Sequence, residues 1–271
     1  MAYKHIILTR FNIQYEKDNL IFLDKNWLDN RFYLFETYCL PSIEYQTNKN
    51  FSWILLCSDQ TPKTYKDRLL AYQNRIPELS VLFCATFDGD VDIIDKLYQK
   101  IGHEYAQGYS MLVSTRVDND DMLEAHYVEY IQNYINAHDL HNVILTFDSG
   151  VQWFLNKSMA YTVTHEINHF TTFIEDKDQI ATCLGINHVL VPHEQLIHLQ
   201  AQNMWCEIVH ETNMLNDYTS AYQYALKTPE GDYPVPLPKS NNYKKIFYLL
   251  CKVVQFNFHR VCRFVKKIHG N

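Results

Sequence analysis

Tyr109-Ser110-Met111-Leu112-Val113-Ser114-Thr115-Arg116-Val117-Asp118-Asn119-Asp120-Asp121 runs from an apolar, β-branched segment straight into three carboxylates. The first part reads as a buried strand and the second as its polar carboxyl end. Like charges gathered at a sheet edge are costly unless a cation or a helix N-terminus compensates them. Carboxylate oxygens at i and i+2 can converge on Mg²⁺ or Mn²⁺, with a pyrophosphate filling the remaining positions. Asp121 could instead cap a helix beginning near Met122, and the whole cluster could be a capped, solvated strand end.

Outward from this segment, short apolar runs alternate with helical patterns. Residues 4–9, 51–57, 80–84, 109–116, 143–147 and 151–155 read as strands; 26–39, 62–75, 91–106 and 122–137 read as helices, with apolar residues every three or four positions. The alternation predicts an α/β layered domain with a largely parallel sheet over the first 140 residues. Such sheets bind ligands beyond the carboxyl ends of their strands. Two further strand ends are polar: Thr9, Arg10 and Asn12 after the first, and Asp59 after the second. These side chains are candidates for a nucleobase and its ribose, although Asp59 could equally cap the helix near Pro62.

The 271 residues are 47% hydrophobic, 20% charged and 14% aromatic, the profile of a folded globular protein. Seven cysteines form no C-x-x-C pair and sit mostly in apolar runs, so they read as reduced core residues of a cytosolic protein. The first residues lead directly into a strand, with no signal-peptide layout, and no apolar stretch reaches the ~18 residues of a membrane span. A cytoplasmic catalytic domain is expected.

The net charge of −7 is unevenly spread. From Lys239 onward there are eight Lys or Arg and no acid, leaving an acidic body. That distribution argues against nucleic acid as a partner and for a tail that meets an anionic membrane surface on its inner face. Four prolines within Pro229–Pro238 mark a linker, so the expected organisation is a domain over 1–228, a linker over 229–242 and a basic amphipathic helix over 243–271. The helix could equally dock on the body.

His165-Glu166-Ile167-Asn168-His169 fits H-E-x-x-H, which on a helix would hold Zn²⁺ for a metallopeptidase. Its flanks, Tyr161–Thr164 and Phe170–Phe173, are β-branched and aromatic and read as extended chain. There is no G-x-G-x-x-G, P-loop or G-x-S-x-G, which disfavours dinucleotide oxidoreductases, P-loop kinases and α/β-hydrolases.

Several of these segments together resemble a family. Ile6–Asn12, Trp27-Leu28-x-x-Arg31, Phe51-x-Trp53, Asp59-x-Thr61-Pro62, Thr115–Asp121 and Met204–Asn213 are similar in spacing to the bacterial rhamnosyltransferase family, glycosyltransferases of GT-A type. Glu211 stands where the family shows a Gly, between a retained His210 and Asn213. The resemblance implies a GT-A-like α/β/α sandwich with Asp118 facing the donor ribose and Asp120 holding a metal, Mn²⁺ or Mg²⁺, on the diphosphate. It also implies that His210 approaches that metal. Arg10 and Arg116 would add positive charge, though Arg116 could simply pair with Asp118 or Asp120. An inverting reaction needs a base for the acceptor hydroxyl. Glu175, with Asp176 in reserve, matches the family's apolar run ending in Glu; either could also be a surface carboxylate. The expected partners are a nucleoside diphosphate sugar and a glycan or lipid-linked acceptor, with a non-catalytic carbohydrate-binding protein as the alternative on the same fold.

Overall fold

In a computed structural model, residues 2–16, 18–186, 190–210 and 229–239 are described. The chain forms β1 (Tyr3–Asn12), a 3-10 turn (Ile21–Leu23), α1 (Lys25–Leu34), a π-type turn (Phe35–Cys39), α2 (Leu40–Glu44), β2 (Ser52–Ser58), α3 (Lys63–Gln73) and β3 (Leu79–Cys84). A small hairpin of β4 (Phe87–Asp88) and β5 (Val91–Asp92) leads to α4 (Ile94–Tyr105) and β6 (Met111–Arg116). Then come β7 (Met122–Leu123), α5 (Tyr127–Ala137), β8 (Val143–Phe147), β9 (Ser149–Phe154), β10 (Met159–Thr164), β11 (Thr172–Asp176), β12 (Leu196–Leu199) and β13 (Trp205–Val209).

Seven strands pair in the order β12-β8-β11-β6-β1-β2-β3, and only β11 runs against its neighbours. Both faces are covered, which is why Ile6–Leu8 of β1 and Trp53–Cys57 of β2 are continuous apolar runs rather than alternating. On one face Ile7, Phe11, Trp53 and Leu55 pack against Leu28 and Phe32 of α1, Leu69 of α3 and Tyr127 and Ile131 of α5. On the other, Ile6, Leu8, Ile54 and Leu112 meet Tyr98 and Ile101 of α4. Each such fully buried aliphatic or aromatic side chain contributes roughly 2 kcal/mol. The result is an α/β/α sandwich with a mostly parallel sheet.

A second sheet, β10-β9-β13-β7, stands at the carboxyl end of the first. It explains two departures from the sequence reading. Residues 122–137 are not one helix, because Met122 and Leu123 pair with Cys206 and Trp205 of β13, and α5 starts at Tyr127. Asp121 therefore caps no helix. The first helix, in contrast, runs on to Glu44, passing Pro41 through the wide turn in which the Leu40 N–H reaches Phe35 O.

Residues 229–239 lie against this second sheet. The Ala125 N–H donates to Asp232 O at 2.9 Å, and the buried Tyr233 donates its hydroxyl to Asn203 O at 2.5 Å. The basic segment 243–271 lies outside the described residues. Among the described residues no helix is long and apolar enough to cross a membrane.

Candidate active site

β1 and β6 are adjacent and parallel, so their carboxyl ends open side by side. β6 ends at Arg116, and the next residues turn sharply, with the Asp121 N–H donating to Asp118 O at 3.2 Å. Asn119 pins this turn in place. Its Nδ2 donates to Arg10 O at 2.6 Å and Phe11 O at 2.8 Å, while its Oδ1 accepts from Arg31 at 2.8 Å. The middle residue of the triplet is thus spent on the backbone, and its two neighbours carry the charge.

Asp118 lies two residues beyond Arg116, the last residue of β6, and the Arg116 guanidinium grips its carboxylate at 3.0 and 2.7 Å. Arg10 approaches the same carboxylate at 3.6 Å. Burial alone would raise the Asp118 pKa, but the Arg116 and Arg10 charges outweigh it and hold the group far below the usual range. Asp120 is treated likewise. Burial raises it, whereas the hydrogen bond from His210 at 3.0 Å and the Arg31 charge at 2.7 Å prevail, and it stays ionised. Trp27, one helical turn before Arg31, lies 5.0 Å under its guanidinium.

Asp121 behaves differently. Its Oδ1 accepts the Ile208 N–H at 2.8 Å and its Oδ2 faces His169 Nε2 at 2.8 Å. Burial, then the charges of Asp120 and Glu207, push Asp121 well above the usual carboxylate range, and burial lowers His169. Both shifts favour an uncharged pair.

These groups line one cavity of about 930 Å³, a size suited to a nucleotide sugar. Arg10, Asn12, Arg116, Asp118, Asp120 and Asp121 are there, joined by Arg31, His165, His169, Trp205 and Glu207. His210 follows β13 and reaches Asp120. Asp118, Asp121 and His169 each offer one ligand atom, and these atoms all lie within 4.8 Å of one another.

Four of the sequence candidates are placed elsewhere. Strand alternation turns Thr9 to the face shared with Ile7, where its hydroxyl accepts from Trp53 Nε1 at 3.0 Å. Asp59 is exposed beside α3 and off the cavity lining, and it does not cap that helix, which Pro62 precedes without a side-chain cap. Glu175 pairs in register with Leu112 and Asp176 with Met111, because β11 is antiparallel to β6. That puts Glu175 six residues, or roughly 20 Å, from the Asp118 end of the sheet. There Glu175 accepts the Ala181 and Thr182 N–H groups, and Asp176 accepts from Asn142 and His141.

The sequence reading put none of Arg31, Asp121, His169 and Glu207 in the donor site: it gave Asp121 a helix cap, His169 a zinc ligand of a peptidase and Arg31 only a place in the family resemblance. Arg31 was signalled by its i, i+4 spacing from Trp27, and His169 by the H-E-x-x-H match. That segment is not helical. It is an irregular loop between β10 and β11 in which His165 stacks on Trp205 and His169 turns to Asp121, so the two imidazoles do not share a helix face for zinc.

A doubly covered, mostly parallel sheet whose acidic turn faces a cavity of this size is a GT-A-like fold, and the family match makes the class a glycosyltransferase. A sequence model of the family described as "Putative rhamnosyl transferase" matches residues 8–221, and the chain belongs to that family. Among solved structures, the chain is similar to residues 1–349 of S. aureus TarS, with 11% identity, a TM-score of 0.42 and coverage of 77% of this chain and 60% of that one. The same TarS fragment in complex with UDP gives 12% identity, a TM-score of 0.43 and coverage of 77% and 61%. The chain thus spans about 60% of the TarS fragment's length. No curated protein matches the chain.

Proposed function

We propose that this glycosyltransferase moves a sugar, rhamnose by its family, from a nucleoside diphosphate donor to a glycan or lipid-linked acceptor in bacterial surface polysaccharide synthesis, with inversion at the anomeric carbon. The observation that carries this is the Asp118–Asp121 turn, in one cavity with Arg10, Arg31 and Arg116. Three guanidiniums against a pair of ionised carboxylates suit a ligand bringing both phosphate charge and a cation.

The residues fit Mn²⁺ or Mg²⁺. The donor set is carboxylate oxygens with an imidazole, the choice of a hard or borderline divalent ion. Asp120 keeps Oδ1 clear of the contacts that Arg31 and His210 make to Oδ2. Asp118, Asp120 and His210 are the ligands the family resemblance implies, whereas the donor atoms that lie within 4.8 Å of one another are those of Asp118, Asp121 and His169. When bound, the cation would offset charge on the diphosphate. Asp118 would also meet the ribose, while Arg10, Arg31 and Arg116 stabilise the departing diphosphate as the sugar takes on oxocarbenium character. The reaction is placed in the cytoplasm, which suits the unpaired thiols of Cys39, Cys57, Cys84, Cys183 and Cys206. The acceptor's membrane could be met by the basic segment outside the described residues.

The test is thermal denaturation with dTDP and UDP, with and without Mn²⁺, together with turnover of the corresponding sugars. A nucleoside diphosphate should raise the Tm more with Mn²⁺ than without it. Asp120→Ala should abolish that difference and lower turnover by at least a hundredfold. Unchanged Mn²⁺-dependent turnover in that variant would refute the metal assignment, and binding without turnover in the native chain would favour a carbohydrate-binding protein.

A further inference from the structure

With Glu175 and Asp176 at the far end of the sheet, the acceptor's proton needs another destination. Each carboxylate of the acidic turn is already committed: Asp118 to Arg116 and Arg10, Asp120 to Arg31 and His210, Asp121 to His169 and the Ile208 N–H. Glu16 and Asp95 on the cavity lining are exposed.

Glu207 is the exception. Along β13 the side chains alternate, so Cys206 and Ile208 bury in the small core with Val151 and Met122 while Trp205 and Glu207 line the cavity. Glu207 is 7% exposed and forms no ion pair with a described cation. Its partner is the Gln152 amide, directly opposite on β9, which donates to Oε2 at 2.5 Å. Oε1 accepts no hydrogen bond from a described residue. A neutral amide thus fixes the carboxylate through one oxygen and leaves the other without a described partner. The next residue's backbone, the Ile208 N–H, donates to Asp121 Oδ1 at 2.8 Å, so Glu207 stands beside the acidic turn. His165, stacked on Trp205, and Ile167 supply the adjoining apolar wall on which an acceptor ring can rest.

We propose that Glu207 is the general base of the transfer, and that the space between Gln152, His165 and Glu207 is the acceptor subsite. The assignment rests on the proposed donor reaction. The acceptor hydroxyl gives its proton to Glu207 Oε1 as its oxygen lone pair forms the new bond to the anomeric carbon. The bond from that carbon to the diphosphate oxygen breaks, and its electrons leave with the diphosphate. Glu207 then returns the proton to solvent. Gln152 is a positioning residue that fixes the carboxylate through Oε2.

The experiment uses dTDP-L-rhamnose with Mn²⁺, water or azide as acceptor, and dTDP release as the readout. Glu207→Gln should release dTDP at least a hundredfold more slowly than the native chain, while its Tm shift with dTDP and Mn²⁺ is unchanged. Azide carries no proton to remove, so Glu207→Ala with sodium azide should recover release at least tenfold and yield rhamnosyl azide. Release by Glu207→Gln within threefold of native would overturn the assignment, as would loss of its dTDP and Mn²⁺ shift, which would make Glu207 part of the donor site. A native chain that neither binds dTDP nor consumes the donor would overturn the donor reading and this assignment together.

Discussion

His169 Nε2 lies 2.8 Å from Asp121 Oδ2, tying the loop between β10 and β11 to the acidic turn after β6. The two residues are 48 apart in sequence. Asp121 also accepts the Ile208 N–H, so one carboxyl joins the large sheet, the loop and the second sheet at the floor of the cavity.

That arrangement predicts a difference between two substitutions. In Asp121→Asn the side-chain oxygen can still accept the Ile208 N–H, and the amide can donate to His169. In Asp121→Ala both contacts go. Asn should lower stability by about 1 kcal/mol or less, and Ala by about 2–4 kcal/mol. Urea denaturation of the two variants checks this, and equal losses would mean that the hydrogen bonds are not what the carboxyl contributes.

Arg31 makes the second case. One guanidinium nitrogen serves both Asn119 Oδ1 and Asp120 Oδ2, at 2.8 and 2.7 Å, while the group's face rests on Trp27. A lysine ammonium brings the charge but not the planar fork or the stacking. Arg31→Lys should therefore fold with a loss of about 1–2 kcal/mol and bind dTDP with Mn²⁺ at least tenfold more weakly. Calorimetric titration checks the binding, and unchanged affinity would remove Arg31 from the donor site.

Six of the strands were readable from sequence as short apolar runs bounded by polar turns, as in Trp53–Cys57 and Met111–Val113, but their order in the sheet was not. Nor was what distant segments do to one another. Met122 and Leu123 continue a helical spacing, yet β13, more than eighty residues later, recruits them as a strand. The acidic triplet pointed to the cavity because carboxylates gathered at the end of a buried strand are costly without a compensating charge. Glu175 misled because its local pattern, an apolar run ending in an acid, does not encode that β11 is antiparallel, and direction alone decides which end of the sheet it occupies. Glu207 carries no local signal, since an acid in Trp205-Cys206-Glu207-Ile208-Val209 is equally the polar position of an alternating strand.

Glu175 should instead govern stability as a function of pH. Burial pushes its pKa up from 4.5 to about 7, against the lowering effect of the Ala181 and Thr182 N–H groups. The native state thus holds a proton that the unfolded chain has released between those values. Its stabilisation is full below about pH 4.5 and is lost as pH rises through 7, by roughly 3 kcal/mol in all. Glu175→Gln should flatten this part of the profile, measured by urea denaturation from pH 4.5 to 8. A native-like slope in the variant would assign the dependence to another group.

Gly150 gives the last prediction. It lies on β9 directly beneath Trp205, and a Cβ there would fall within the van der Waals envelope of the indole ring. The ring cannot readily move away. Its Nε1 donates to Phe147 O at 2.8 Å, and its other face stacks on Phe170 at 4.8 Å and 12°. Phe170 is held in turn, its carbonyl accepting the buried Tyr127 hydroxyl at 2.9 Å. Gly150→Ala must either tilt the indole and break its hydrogen bond or spread the two sheets, so a loss of about 3 kcal/mol is expected. In a domain of this size that lowers the Tm by roughly 6–12 °C. Because Trp205 also lines the cavity beside Glu207, turnover should fall in the folded fraction as well. Retention of both Tm and turnover would show that the indole has room to shift, and that its flat seat on Gly150 is not what shapes this wall of the site.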